Sequence, residues 1–287
     1  MSIHGSTPIH LHSFDAGVAQ GELETGTGII RIQTENILDH VSEPTEWFLD
    51  WCRQIGTPVS QSADGDLVLS VRNESFGKND SRTRGPNTNR KLSFHSDRCD
   101  VIAFLCLRPA MNGGENQVID SQVIEKIIQL ERPDLHNVLK QKFPYKRHVV
   151  DTGNQTPYVM QPIFSHAKGH FACSYLRVLI DRADQDANCP DLSKLQKDAI
   201  DYLDEVCERP ELQLRFTMQR GDILLLNNWT LLHRRTEFED YPDLSKRRHL
   251  LRIWLSMPNS RPLDRSFLEN FGSISAGAVR GGMKAFQ

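Results

Sequence analysis

Apolar residues recur along this chain in two periods. Trp47, Phe48, Trp51 and Ile55 fall on one helical face, with Ser42 offered as an N-cap and Gly56 as a stop. Leu195, Ala199, Tyr202, Leu203 and Val206 give a second amphipathic helix over Leu192–Glu208, with Ser193 as its cap. Residues 121–141 also read as helix. Short apolar or alternating runs predict strands at Gly28–Ile32, Asp66–Val71, Val101–Leu107 and Val118-Ile119, and over 146–150, 157–164, 170–175, 212–218, 223–228 and 249–256. Pro109, the turn Asn112-Gly-Gly114 and the hairpin turn Gly221-Asp222 punctuate them. The first 25 residues read as irregular.

Residues 73–91 break the pattern. They are polar, rich in Asn, Ser, Arg and Gly, and contain Pro86. A loop of that length in a compact protein is often functional, which makes it a predicted active-site loop. The many short strands, few helices and lack of regular strand–helix alternation argue against a parallel doubly wound sheet. They predict a mainly β protein with flanking helices, a double-stranded β-helix or jelly roll, as one domain over 1–287.

Composition narrows the class. A length of 287 residues suffices for a large core, and a formal net charge of -3 with no basic run argues against a nucleic-acid partner. No stretch approaches the roughly 20 apolar residues of a membrane span, and the first residues lack the charged and apolar regions of a signal peptide. Cys52, Cys99, Cys106, Cys173, Cys189 and Cys207 are scattered without a Cys-x-x-Cys and read as reduced thiols. The expectation is a cytoplasmic protein acting on a small molecule, without a membrane partner. Association into a homo-oligomer is left open.

The candidate chemistry lies directly after the polar loop, in Lys91-Leu-Ser-Phe-His95-Ser-Asp97. On a strand, residues two apart share a face, so His95 and Asp97 present an imidazole and a carboxylate together. These are two parts of a 2-His-1-carboxylate set, which leaves open positions on ferrous iron. His233, at the end of the apolar run from Ile223, is the candidate third ligand. Roughly one His-x-Asp/Glu is expected by chance in a chain with this many histidines and acids, so the pair needs context. The plain alternative is a strand-end histidine bonded to a nearby acid.

Context comes from an ordered series: Leu92-Ser-Phe-His95-Ser-Asp97, Gly113-Gly-Glu-Asn116, Gly221-Asp222, Asn227-Asn-Trp-Thr-Leu-Leu-His233 and Arg247-Arg-His-Leu-Leu-Arg252. In this order the chain resembles, over roughly residues 25–260, the taurine dioxygenase-like family of Fe(II)- and 2-oxoglutarate-dependent oxygenases. The resemblance implies a jelly-roll enzyme that couples oxidative decarboxylation of 2-oxoglutarate, with O2 and release of succinate and CO2, to oxidation of a C–H bond. It implies His95, Asp97 and His233 as iron ligands and Arg248 as partner of the distal carboxylate of 2-oxoglutarate. Arg252 is implied to lie near the co-substrate or an anionic substrate. Asn116 stands where relatives commonly carry a hydroxyl residue that contacts 2-oxoglutarate; an amide can donate to the same carboxylate. Halogenating relatives lack the carboxylate, so Asp97 favours hydroxylation or a related dehydrogenation or cyclisation.

The residues themselves support an anion site. Arg248 and Arg252 share a face of an otherwise apolar strand, and a planar guanidinium matches a carboxylate with two parallel hydrogen bonds. The plain alternative is ion pairing with Glu237, Glu239 or Asp240. Substrate contacts are expected from Arg82, Arg84, Arg98 and Arg280, with Asn87 and Asn89 nearby, and a small polar substrate such as an amino acid or natural-product intermediate is expected. His166 and His170 lack the following Glu of a His-Glu-x-x-His site and read as surface residues. Two competing readings are a non-catalytic or sensory metal-binding jelly roll and a cupin-like metal isomerase or hydrolase. Arg248 separates them from the first, because a metal-only protein has no need of a carboxylate anchor.

Overall fold

The structure, a computed structural model, describes residues 8–34, 36–74, 85–147 and 156–283. Its principal strands are β1 (Ile29–Gln33), β2 (Val101–Arg108), β3 (Asn116–Asp120), β4 (Leu214–Phe216), β5 (Ile223–Asn227), β6 (Leu231–Arg235) and β7 (His249–Ser256). The larger sheet runs Ile9–His10, β1, β5, β2, β7, and β7 also pairs with Thr57–Val59 and Val68–Val71. All of its pairings are antiparallel except the first. The smaller sheet is antiparallel, in the order β4, β3, β6.

Helices cover the outer faces: α1 (Ala16–Thr25) and α2 (Pro44–Arg53) on the larger sheet, α3 (Ser121–Glu131), α4 (Pro133–Leu139) and α6 (Lys194–Cys207) on the smaller, with α5 (Arg177–Asp184) beside the hairpin strand Lys142–Lys146. Strand β2 shows why its sequence reads as a continuous apolar run. Val101, Ala103 and Leu105 pack outward with Phe48, Trp51 and Ile55 of the α2 region, while Ile102 and Cys106 cluster with Val118 of the smaller sheet and with Leu224, Leu250 and Trp254. A strand buried on both faces cannot alternate polar and apolar residues. Phe48 is fully buried, worth roughly 2–3 kcal/mol of apolar transfer.

Several expectations shift. The N-terminal stretch holds α1, capped by the Asp15 carboxylate accepting from the Val18 amide; its two glycines and only two buried residues, Ala19 and Leu23, left no periodic signal. Helix α2 starts at Pro44 after Glu43, not at a Ser42 cap, because proline is pre-organised for the first helical position. The helix expected over 121–141 is two, since Pro133 cannot continue one and opens the next. The run 157–164 divides into Tyr158–Pro162 and the start of Phe164–Ala167, and part of 146–150 lies outside the described residues. The run from Ile223 to His233 is not one strand: β5 and β6 belong to different sheets, joined by a turn holding Trp229. All six cysteines are free and buried. Among the described residues no helix is long and apolar enough to cross a membrane.

Candidate active site

His95 sits on a single antiparallel bridge to His233, each amide donating to the other's carbonyl at 3.1 and 2.9 Å. The expected strand through His95 and Asp97 is therefore replaced by one bridge followed by a turn, in which the Cys99 amide donates to the Asp97 carbonyl. The turn is pinned on both sides. The Asp97 amide donates to Asn228 Oδ1 at 3.0 Å, and Ser96 exchanges hydrogen bonds with Tyr175. Donor atoms of His95, Asp97 and His233 consequently lie within 4.8 Å of one another, and the two imidazole centroids are 4.5 Å apart.

The electrostatics suit ligands. Burial, with the neighbouring His233, lowers the His95 value to about 4, so its ring is neutral near pH 7. Its Nδ1 donates to the Ser93 carbonyl at 2.9 Å in that neutral form, which leaves Nε2 as a lone-pair donor. Burial pushes the Asp97 carboxyl upward, but the Arg252 charge and the adjacent His233 imidazole, 3.6 Å away, outweigh it and hold the group well below the usual carboxylate range. Asp97 Oδ2 and His233 Nδ1 are buried without a hydrogen-bond partner. Orphaned acceptors are costly unless something meets them. Two imidazoles and a carboxylate that each bring a donor atom within 4.8 Å of the others fit a divalent iron.

Above the triad lies a cavity of about 750 Å³ whose wall includes Phe104, Asn116, Arg235, Arg248 and Arg252. Arg252 Nη1 is 3.7 Å from Asp97 Oδ1, and its Nε donates to Gln61 Oε1 at 2.7 Å. Arg248 differs. Its side chain is buried, yet no carboxylate pairs with it among the described residues; Asp240 instead accepts from the Arg248 backbone amide at 2.8 Å. Burial lowers the Arg248 value to about 10. Gly114 lies against the Arg248 side chain, and its φ of 70° favours glycine. Asn116 lies on β3 directly across from Arg235 on β6, with Nδ2 3.5 Å from the Phe216 carbonyl. Arg235 went unnoticed in the sequence; its signal is its place two residues beyond His233, on the same strand face.

The other expected contacts scatter. Arg98 borders the cavity and donates through Nε to the Asn270 carbonyl at 2.7 Å. Arg280 is not brought there. Its guanidinium is fully buried, donates to Asp100 Oδ1 at 2.7 Å and lies over the Trp229 ring, so it clamps the C-terminal segment to the turn between β5 and β6. Arg82 and Arg84 lie outside the described residues, as does most of the loop 73–91; its flank Gly85, Pro86 and Asn87 borders the cavity. His166 and His170 are exposed on a hairpin, His166 beside Glu125 at 3.4 Å. Residues not foreseen also line the cavity: Tyr145, Gln161 and Ser174 in a hydrogen-bonded wall, and Arg147 paired with Glu269.

Comparison with known proteins bears on this geometry. The family profile described as taurine catabolism dioxygenase TauD, TfdA family matches residues 43–254. FR-33289 synthase of Streptomyces rubellomurinus (strain ATCC 31215) is 32% identical over 230 residues, covering 78% of this chain and 67% of that protein. A taurine hydroxylase-like protein, SAT17, of Stachybotrys chartarum (strain CBS 109288 / IBT 7711) is 28% identical over 225 residues, covering 72% of this chain and 57% of that one. Among solved structures, an asparagine oxygenase in complex with Fe(II), 3-hydroxyasparagine and succinate aligns with a TM-score of 0.64 at 15% identity, covering 85% of this chain and 81% of that one. The non-heme iron oxygenase OrfP in complex with Fe and alpha-ketoglutaric acid aligns at 0.59 and 14% identity, covering 92% and 85%. At such identities these two structures speak for the fold.

Proposed function

This chain belongs to the TauD/TfdA family of Fe(II)- and 2-oxoglutarate-dependent oxygenases, and from that premise we propose that it hydroxylates a C–H bond of a small amino-acid-like substrate at the His95–Asp97–His233 site. The observation that carries this reading is the convergence of two imidazoles and a carboxylate, two of them with orphaned buried atoms, beside a buried arginine that no carboxylate pairs with among the described residues.

His95, Asp97 and His233 would hold the iron. When bound, ferrous iron supplies the redox chemistry, coupling decarboxylation of 2-oxoglutarate to succinate and CO2 with oxidation of the substrate by O2. The chain supplies position and charge. Arg248 receives the distal carboxylate, replacing the hydration that burial has removed from its guanidinium. Asn116 can donate its amide to the same co-substrate. Arg252 balances the Asp97 charge and favours the ionised carboxylate. Phe104, Leu224 and Leu226 give the cavity an apolar floor that excludes water.

An amino-acid-like substrate is supported by charge at the cavity wall. The Arg147–Glu269 pair and Arg98 offer both signs to a zwitterion, and Gln161 and Ser174 offer neutral polar groups. Relatives of this fold have been solved with hydroxylated asparagine and hydroxylated arginine, which fits that class. The test is turnover of a panel of free, N-acylated and amidated amino acids with Fe(II), 2-oxoglutarate and air, read by mass spectrometry. A product heavier by one oxygen atom, formed in step with succinate, is expected. A panel without such a product, or succinate formed by none of its members, would oppose the reading.

A further inference from the structure

We propose that Arg235 is a positioning residue that links occupancy of the Arg248 anion site to the segment 85–92, the stretch that delivers His95. The inference rests on the reading above, in which Arg248 receives the distal carboxylate of 2-oxoglutarate.

Arg235 and Arg248 form one cationic unit. Both are buried, both line the cavity, and both guanidinium carbons lie over the Phe238 ring, at 4.6 and 5.1 Å. No carboxylate pairs with either side chain among the described residues. Two buried like charges side by side repel, and one shared ring offsets little of that repulsion. An anion placed at Arg248 would relieve both at once. Asn116, directly across from Arg235 in the sheet register, marks the same corner of the cavity.

What sets Arg235 apart is where its hydrogen bonds go. Nη1 donates to the Thr236 carbonyl and Nη2 to the Thr88 carbonyl, both at 2.8 Å. A guanidinium carries five N–H donors, so these two leave capacity for an anion. Thr88 belongs to the segment whose Gly85, Pro86, Asn87 and Leu92 border the cavity. That segment hangs on the same stretch of chain: the Leu92 amide donates to the Arg235 carbonyl at 3.0 Å, and Asn89 exchanges hydrogen bonds with Phe238 at 3.0 and 3.3 Å. His95 follows three residues after Leu92. Arg235 thus joins the cation pair to the loop. With the second guanidinium unneutralised, repulsion loosens the Arg235 rotamer and its hold on Thr88. With the carboxylate in place the fork is fixed, and the segment is held against β6. Co-substrate binding then orders this part of the cavity wall before substrate arrives.

The test uses hydrogen exchange of the amides in 85–92 in the iron-loaded native protein under anaerobic conditions. It compares 2-oxoglutarate with 2-oxopentanoate, a 2-oxo acid of the same length without the distal carboxylate, each at saturation. Slowing of exchange by about tenfold with 2-oxoglutarate, and little with 2-oxopentanoate, is expected. Equal slowing by the two acids, or none by either, overturns the inference. Two variants complete it. Arg235→Lys keeps the charge but loses the fork, so it should bind 2-oxoglutarate within about threefold of native while losing the slowing. Arg248→Ala should lose the co-substrate affinity itself. If Arg248→Ala binds 2-oxoglutarate as the native protein does, the reading of the anion site fails. If it weakens binding but Arg235→Lys keeps the full slowing, that reading stands and the role of Arg235 falls.

Discussion

Buried arginines in this chain separate by what they touch. Arg252 faces Asp97 and Gln61, Arg280 faces Asp100, and Arg248 faces a cavity with no carboxylate among the described residues. The first two have a carboxylate beside them; the third has none among the described residues. Replacing Arg248 by alanine should weaken 2-oxoglutarate binding by about 2–4 kcal/mol, the loss of a charge-assisted pair, with little effect on iron affinity; titration calorimetry with each ligand checks this. Arg280 should behave in the opposite way. Arg280→Met strands the buried Asp100 carboxylate and should cost about 3–5 kcal/mol of stability, read by denaturant unfolding, while 2-oxoglutarate affinity in the folded protein is unchanged. Sequence alone marked both arginines as candidates. Glycine-flanked Arg280 read as a substrate contact because nothing local reveals that a partner 180 positions earlier will bury it.

Elements were legible where one face repeats and obscure where both faces are apolar or the chain is short. The helix α6 was readable to its cap: Ser193 accepts from the Gln196 amide and Gln196 returns a bond to the Ser193 amide. Ser193→Ala should therefore lower stability by about 1 kcal/mol, measured as a lower melting temperature with activity retained. By contrast β5 and β6 merged into one apolar run, since burial on both faces erases the period and only Asn227-Asn228 hints at the turn. The same-face argument for His95 and Asp97 assumed a strand; a single bridge and a turn bring the two side chains together instead. At the head of β7, His249 takes a hydrogen bond from Arg108 and contacts Ser70, and burial together with the Arg108 and Arg72 charges lowers its value to about 4. The folded state then binds fewer protons than the unfolded one between about pH 6.5 and 4. Its contribution to stability is full above pH 6.5 and is lost as pH falls toward 4. Unfolding of the metal-free protein across this window should show a shallower acid slope in His249→Asn than in the native chain.

At the scale of the whole molecule, two sheets from distant parts of the chain bring their inner faces together, and the site is where they meet. β6 of the smaller sheet carries His233 and Arg235, β7 of the larger carries Arg252 and follows Arg248, and the turn bearing His95 and Asp97 bridges them. The ligand pair and its third member were visible as residue types, but their meeting depends on sheet pairing that a sequence motif encodes only in order. The family carries iron and 2-oxoglutarate; the central claim is that this triad is the place where they react. The most direct measurement is succinate formed from 2-oxoglutarate in air on adding Fe(II), for the native protein and for His233→Ala matched for folding by circular dichroism. The account predicts iron-dependent succinate from the native chain and none above background from the variant. Succinate released equally by both proteins, or by neither across the substrate panel, would contradict it.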